Sequence, residues 1–437
     1  MDKIRVIIAG AAGRDFHDFN TYFRNNPTYN VVCFTAAQIP NISGRKYPKE
    51  LAGKLYPAGI KIYDEKNIEE LIKKLKIDFV FLAYSDLSHQ EVMDLGSRVL
   101  AAGAHYGMLG RHHTMITSKK PVVAICAVRT GCGKSSVSRA VAKYFYDKGQ
   151  KVVAIRHPMP YGDLKKQICQ RFAQYSDLDK QKCTIEEREE YEPWIEQGIV
   201  IYAGVDYEKI IRMAEKEADV IIWDGGNNDL PFYQPRLHIV LTDPHRPGHE
   251  LMYYPGAVNL RMADVVIISK YNTADKKNVK IVEDNTKKVN PKAKILYGSL
   301  ELIPSNPGMI RNKNVLIVED GPTLTHGGMT YGAGTLAAKK YHAKHIIDPR
   351  EIAVGEIKKT FTKYPGIGKL LPAMGYNKKQ IKDLQKTINR VKCDIVIDGT
   401  PVNLQKILKI NKPWVTVEYT YKDAGKIKLN NLLKRIL

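Results

Sequence analysis

Residues 121–146 run from an unbroken apolar segment, Pro121–Val128, through the turn Arg129-Thr130-Gly131-Cys132-Gly133 into a helix-patterned stretch opening on Lys134-Ser135-Ser136. A buried strand, a glycine-rich turn and a helix in series make a phosphate cradle, because backbone N–H groups and the helix N-terminus converge on anionic oxygens. The segment commits this part of the chain to an α/β fold, since a strand apolar on both faces needs helices on both sides of its sheet. In that setting Lys134 reaches the β and γ phosphates and the Ser135 hydroxyl ligates Mg²⁺. Thr130, Gly131, Cys132, Gly133 and Ser136 complete the lining. The usual first glycine of such a turn is replaced by Val128.

The same alternation of apolar β-rich runs and polar helix patterns recurs along all 437 residues. It predicts three-layer α/β domains with mainly parallel sheets. The expected order is an N-terminal Rossmann-like domain over 1–118, a central P-loop nucleotide-binding domain over 119–305 and a C-terminal α/β domain over 306–437. No internal repeat or low-complexity tract interrupts it. The six cysteines are dispersed without a Cys-x-x-Cys pair, as in reduced intracellular thiols rather than a disulfide framework or a zinc site. No apolar run is long enough to span a bilayer, and the opening residues read as a strand rather than a signal core. The expected compartment is the cytoplasm.

Charge narrows the partners. Lys and Arg number 68 against 46 Asp and Glu, a net charge of +22. Such an excess favours anionic company. Many of the lysines lie in helix patterns such as Ile72–Ile77 and Asn377–Lys386, where a solvated face explains them, and no basic stripe interleaves with aromatics. Nucleic acid is therefore not the expected partner, nor is a membrane surface. A small polyanion is.

Further candidates sit where predicted strands end. Asp224 closes an apolar strand and precedes Gly225-Gly226, which suits a carboxylate facing Mg²⁺ beside the phosphate cradle, and Asp229 is a weaker candidate for positioning water. After the strand at 152–155 come Arg156, His157 and Pro158–Asp163. After that at 237–242 come Asp243, His245, Arg246 and His249. Both arginines suit bidentate phosphate contact, and the histidines can donate or shuttle protons. Ser269-Lys270-Tyr271-Asn272 occupies the place of a guanine-reading Asn-Lys-x-Asp segment. With Asn272 in place of the carboxylate the two guanine donors are poorly served, so ATP is expected rather than GTP. The glycine- and histidine-rich stretch 319–334, with Thr323, Thr325 and His326, is either a second phosphate site or a structural loop. Gly10 and Gly13 are half of a dinucleotide fingerprint, without an acid at the end of the next strand. The acidic run 184–193 is expected to be a solvated helix face capped by Thr184, the alternative being that it closes over a metal.

Six stretches together carry a resemblance: Gly10–Phe16, Val128–Ser135, Arg156–Leu164, Trp223–Asp229, Asp243–Glu250 and Glu319–Met329. Over essentially its whole length the chain resembles the cyclic 2,3-diphosphoglycerate synthetase-like proteins, also described as predicted GTPases. Their nucleotide domain is similar to the metallochaperone and dethiobiotin-synthetase branch of P-loop proteins. The resemblance implies ATP-dependent closure of a phosphoanhydride within 2,3-bisphosphoglycerate, giving ADP and phosphate. It implies Lys134, Asp224, Arg129, Arg156, His157, His245 and Arg246 as the groups that gather and neutralise the phosphates. Mg²⁺ would be held through Ser135 and Asp224, and the nucleotide by residues 130–136 with Lys270 and Asn272. A homodimer across the nucleotide is implied as well. The alternative is a nucleotide-switched regulator or metallochaperone, against which the lack of a Cys-x-x-Cys or His-rich insertion counts.

Overall fold

A computed structural model describes residues 2–10, 13–37, 44–157, 162–226, 229–325, 330–375 and 378–436, the side chains of Pro322 and Thr323 excepted. The chain forms two compact units. The first takes residues 1–171, 201–298 and 423–437, and the second takes 172–200 and 299–422. Both are α/β with mainly parallel sheets, the predicted fold class.

Two large sheets and one two-stranded sheet lie in the first unit among the described residues. The N-terminal one runs Lys46–Tyr47, Ile60–Asp64, Tyr29–Ala36, Ile4–Ala9, Phe79–Leu82, His105–Gly107. Every pairing is parallel except the first. Its central strands are apolar on both faces and lie between two cores, one aromatic (Phe16, Phe19, Phe23, Phe34, Tyr47) and one aliphatic (Ile7, Ile68, Leu71, Val80, Leu95).

The second sheet holds the phosphate cradle at its centre. Val122–Ala127 pairs in parallel with Val220–Asp224 on one side and Leu237–Thr242 on the other. Val152–Arg156 lies beyond the first and Val265–Ile268 beyond the second. The carboxyl ends of these strands therefore deliver residues 128–135, 156–157, 224–229, 242–250 and 269–272 to one edge, where parallel sheets bind ligands.

The two blocks of the first unit are bound by polar as well as apolar contacts. Leu87–Ser88 pairs antiparallel with Tyr253–Tyr254. Arg14, which is 2% exposed, donates to the Leu230 carbonyl at 3.3 Å and to Thr114 Oγ1 at 3.0 Å. The ring of His17 stacks on Phe232 at 3.8 Å. Its burial, with Arg14 beside it, lowers its pKa to about 3, so it is neutral in the folded protein.

In the second unit Asn314–Asp320 is flanked by Leu371–Ala373 and Ile395–Asp398, all parallel. Helix Ile185–Glu196 packs into this unit's core through Ile185. Thr184 caps it as expected, in a capping box with Glu187. The expectation of a solvated acidic face is overturned: Glu186, Glu187, Glu189 and Glu192 are all buried. Tertiary packing decides this rather than composition. Glu192 is held by Arg188 and the Asn403 N–H, and Glu186 by the Gly375 N–H.

Candidate active site

The cradle takes its shape from two glycines with positive φ, Gly131 at +82° and Gly133 at +92°. Residues with a Cβ rarely adopt that region. Gly133 precedes the helix Lys134–Tyr146, whose first turn has no side-chain cap and offers its N–H groups to an anion. Ser135 is half-buried in that first turn, and Ser136 and Cys132 are buried behind it. Burial pushes the Cys132 thiol up to about 11, so it lines the turn as a neutral group.

Three aspartates organise the cations around the cradle. Asp224 lies in register with Arg156 on the neighbouring strand. Its Oδ2 accepts from Arg156 at 2.9 Å, and its Oδ1 from Lys134 Nζ at 2.5 Å and Ser138 Oγ at 2.8 Å. Burial alone would raise this carboxyl, but the Lys134 and Arg156 charges and the hydroxyl more than reverse it and hold it at about 2. The Lys134 side chain is only 11% exposed and is folded onto Asp224, because a buried ionised carboxylate needs its charge.

Asp243 does the same on the other side of the cradle. Its Oδ2 accepts from Lys270 at 2.8 Å and from Arg246 at 2.9 Å, and Arg246 also donates to the Thr130 carbonyl at 2.7 Å. Burial opposes ionisation of Asp243 as well, and Lys270 and Arg246 keep it below the usual carboxylate range.

The third aspartate, Asp86, comes from the N-terminal block and was not singled out in the sequence. Its two oxygens accept from Arg129 Nε at 2.7 Å and Thr130 Oγ1 at 2.8 Å, so it braces the phosphate turn itself. Arg129 is held further by His249 Nδ1 at 2.9 Å and by the Tyr253 ring, 3.6 Å from its guanidinium. Only the positive φ of Asp86, +62°, marks it as special, and that is a structural signal.

His157 and Asp229 form a fourth pair, Nδ1 to Oδ2 at 2.6 Å. Asp229 is fully buried, and its other carboxylate oxygen has no hydrogen-bond partner among the described residues. Gly13 and Gly226 make room for the imidazole: a Cβ on Gly226 would lie 2.5 Å from it, and one on Gly13 would touch it at 3.4 Å. The glycine turn of the N-terminal sheet thus closes on the nucleotide block beside His157.

Two sequence candidates stand apart. His245 Nε2 pairs with Thr273 Oγ1 at 2.9 Å, and its backbone N–H donates to Asp243 Oδ1 at 3.1 Å. Asn272 is exposed in the turn after Val265–Ile268, beside Tyr271, whose ring lies 5.1 Å from Tyr297. Pro158–Tyr161, Asn227, Asn228, the Thr323 side chain and His326–Met329 lie outside the described residues. No group of three or more His, Cys, Asp or Glu side chains is placed to hold a metal ion among the described residues. No helix of the described residues is long and apolar enough to cross a membrane.

The family profile described as the P-loop domain of cyclic 2,3-diphosphoglycerate synthetase matches residues 198–298. The cyclic 2,3-diphosphoglycerate synthetase of Methanothermobacter thermautotrophicus is 25% identical over 59% of this chain and 61% of its own. Arginine synthetase ArcE of Thermococcus kodakarensis is 60% identical over 432 residues, 99% of this chain and 96% of its own. The chain belongs to that synthetase family. It is an ATP-using P-loop enzyme of that family. Among solved structures, LpxK from Aquifex aeolicus in complex with ATP superposes with a TM-score of 0.46 at 15% identity, over 74% of this chain and 90% of that one.

Proposed function

We propose that this family member makes arginine at the expense of ATP, from a ureido amino acid and ammonia. The observation that carries this reading is the 60% identity to an arginine synthetase across both chains. The charge census of the site agrees with it. Five cations (Arg129, Lys134, Arg156, Arg246, Lys270) face four carboxylates (Asp86, Asp224, Asp243 and the His157-paired Asp229), a small excess. That suits the phosphates of one nucleotide better than a nucleotide together with a bisphosphate.

The chemistry has two steps. The ureido oxygen takes the γ-phosphoryl group of ATP, releasing ADP. Ammonia then attacks the same carbon, a C–N bond forms, and the C–O bond breaks with release of phosphate. Lys134 moves from Asp224 to the β and γ phosphates, while Arg156 stays on Asp224 and keeps it ionised. Arg246 and Lys270 steady the turn through Asp243. His157, oriented by Asp229, accepts the proton that the attacking nitrogen loses. Mg²⁺ binds through hard oxygen donors, one or two from protein and the rest from phosphate and water. The Ser135 hydroxyl and the ionised Asp224 are donors of that kind, and the ion would supply charge neutralisation on the phosphates.

The second reading is ring closure of 2,3-bisphosphoglycerate, favoured by the P-loop domain match at 198–298. It shares the first step, with a substrate phosphate as acceptor and its neighbour as the nucleophile that expels phosphate. Incubation with MgATP, citrulline and ammonium, followed by mass spectrometry, should yield arginine and ADP. A parallel incubation with 2,3-bisphosphoglycerate should leave the ³¹P spectrum unchanged. A cyclic pyrophosphate signal without arginine would reverse the order of the two readings.

Within the same proposal the enzyme is cytoplasmic and homodimeric, prefers ATP, and carries the three domains 1–118, 119–305 and 306–437. Asn272→Asp should raise GTP affinity relative to ATP in a competition assay, and unchanged selectivity would move the base-reading role elsewhere. Asp229→Asn should lower kcat by about 10²-fold while ATP affinity is retained, since it removes the group that orients the proton acceptor. Equal kcat in the variant would remove His157 from the proposed mechanism.

A further inference from the structure

The second unit gathers carboxylates that the nucleotide chemistry does not use. Helix Ile185–Glu196 carries Glu186 and Glu189 one turn apart on one face. Asp320 ends the strand Asn314–Asp320, and the Gly375 N–H at the end of the neighbouring strand donates to Glu186 Oε1 at 3.1 Å. Glu189 feels the charges of Asp320 and Glu186 and shares a hydrogen bond with Asp320. Glu319, the residue before, lies with an oxygen where a Cβ on Gly332 or Gly399 would fall, at 2.2 and 2.3 Å. These glycines clear the space that the carboxylate fills.

The group is under-satisfied. Glu186 is 2% exposed and Glu189 6%, yet Glu186 Oε2 and Glu189 Oε1 have no hydrogen-bond partner among the described residues. None of the described lysines or arginines forms an ion pair with Glu186, Glu189 or Glu319. Buried polar atoms are nearly always paired, so two orphan oxygens on one helix face mark a place for a donor. Asp320, half-buried, opens the cluster to solvent.

We propose that Glu186, Glu189 and Asp320, backed by Glu319, bind a nitrogen cation, either a guanidinium group or ammonium. Such a cation presents several N–H donors at once and brings the positive charge that the cluster lacks. A metal fits less well, because no described trio of ligands is placed for one. The location supports a ligand, since the carboxyl ends of parallel strands are where open α/β sheets take them. In the absence of the cation the same burial and mutual repulsion keep Glu186 and Glu319 protonated up to about pH 7, and push Glu189 well above the usual carboxylate range.

The choice of probe rests on the arginine reading, but binding is measured without turnover, so the two fail separately. Titration of the full chain by calorimetry with arginine, guanidinium chloride and ammonium chloride should show binding of at least one. Glu189→Gln, close in shape to the protonated acid, should weaken that binding about tenfold. Glu186→Gln should do the same, and thermal unfolding of both variants at the wild-type temperature and amplitude reports that the second unit is folded. A guanidinium response identifies the amino-acid side chain as the ligand, and an ammonium response identifies the nitrogen donor. Unchanged affinity in both folded variants, or no binding of any of the three to the wild type, overturns the proposal.

Discussion

Lys134→Ala should abolish ATP turnover, with a loss of at least about 10³-fold in kcat, while the protein still unfolds cooperatively near the wild-type temperature. The size follows from the role. Phosphoryl transfer asks little covalent chemistry of the protein, so charge held at the transferring group is most of what it supplies. Folding survives because Asp224 keeps two of its partners, Arg156 at 2.9 Å and Ser138 at 2.8 Å. Asp224→Asn makes the complementary case. It leaves Arg156, 6% exposed, without its carboxylate, and should cost stability as well as turnover, on the order of 3 kcal/mol. Steady-state kinetics with thermal denaturation separate the two. Turnover retained in Lys134→Ala would mean that the glycine turn is not the phosphate site.

Stability should fall as pH rises from about 6.5 to 8, which is unusual for a chain with so basic a composition. Burial raises Glu186, Glu319 and Asp398 to about 7, and Asp18 as well, against the opposing Arg14 charge. A carboxyl raised in the folded state holds a proton that the unfolded chain has already lost, so its contribution disappears as pH climbs through the folded value. Buried His17 and His238, lowered to about 3 and 4, act in the other direction, but only below their unfolded value near 6.5. Above it the carboxyls titrate alone, and the expected loss is on the order of 3 kcal/mol. Asp224 adds nothing to this window, since its contribution is lost only as pH falls from about 4 toward 2. Urea titrations at pH 6.5 and 8 measure the slope. Glu186→Gln with Glu319→Gln should roughly halve it, since Asp398 and Asp18 remain, and a slope of the same size in that double variant would place the titrating groups elsewhere.

The parts of the site written in one local stretch were legible in the sequence. Strand, turn and helix at 122–146 are adjacent in the chain, and Asp224 betrays itself by closing an apolar run before two glycines. What escaped depends on separation. Asp86 meets Thr130 across 44 residues and belongs to no motif, so only the packing of the N-terminal sheet's loops reveals it as the brace of the turn. The buried face of helix Ile185–Glu196 escaped for another reason. Glutamates at helical spacing read as a solvated stripe, and the chain leaves the first unit at residue 172 and returns at 201 only to pack them elsewhere. Lys134 was found by its motif, which names the phosphates it reaches but not Asp224, the carboxylate 90 positions away that holds it.

The contact between Arg14 and Leu230 has a consequence for synthesis on the ribosome. The two residues are 216 positions apart. At about 5–20 residues per second the acceptor emerges roughly ten to forty seconds after the donor. Through that interval the nascent N-terminal sheet carries the Arg14 guanidinium and the His17 ring on a surface whose covering, Leu230 and Phe232, does not yet exist. That face is therefore completed only when residues 230–232 arrive, although the two cores of the sheet are built almost wholly from residues before them.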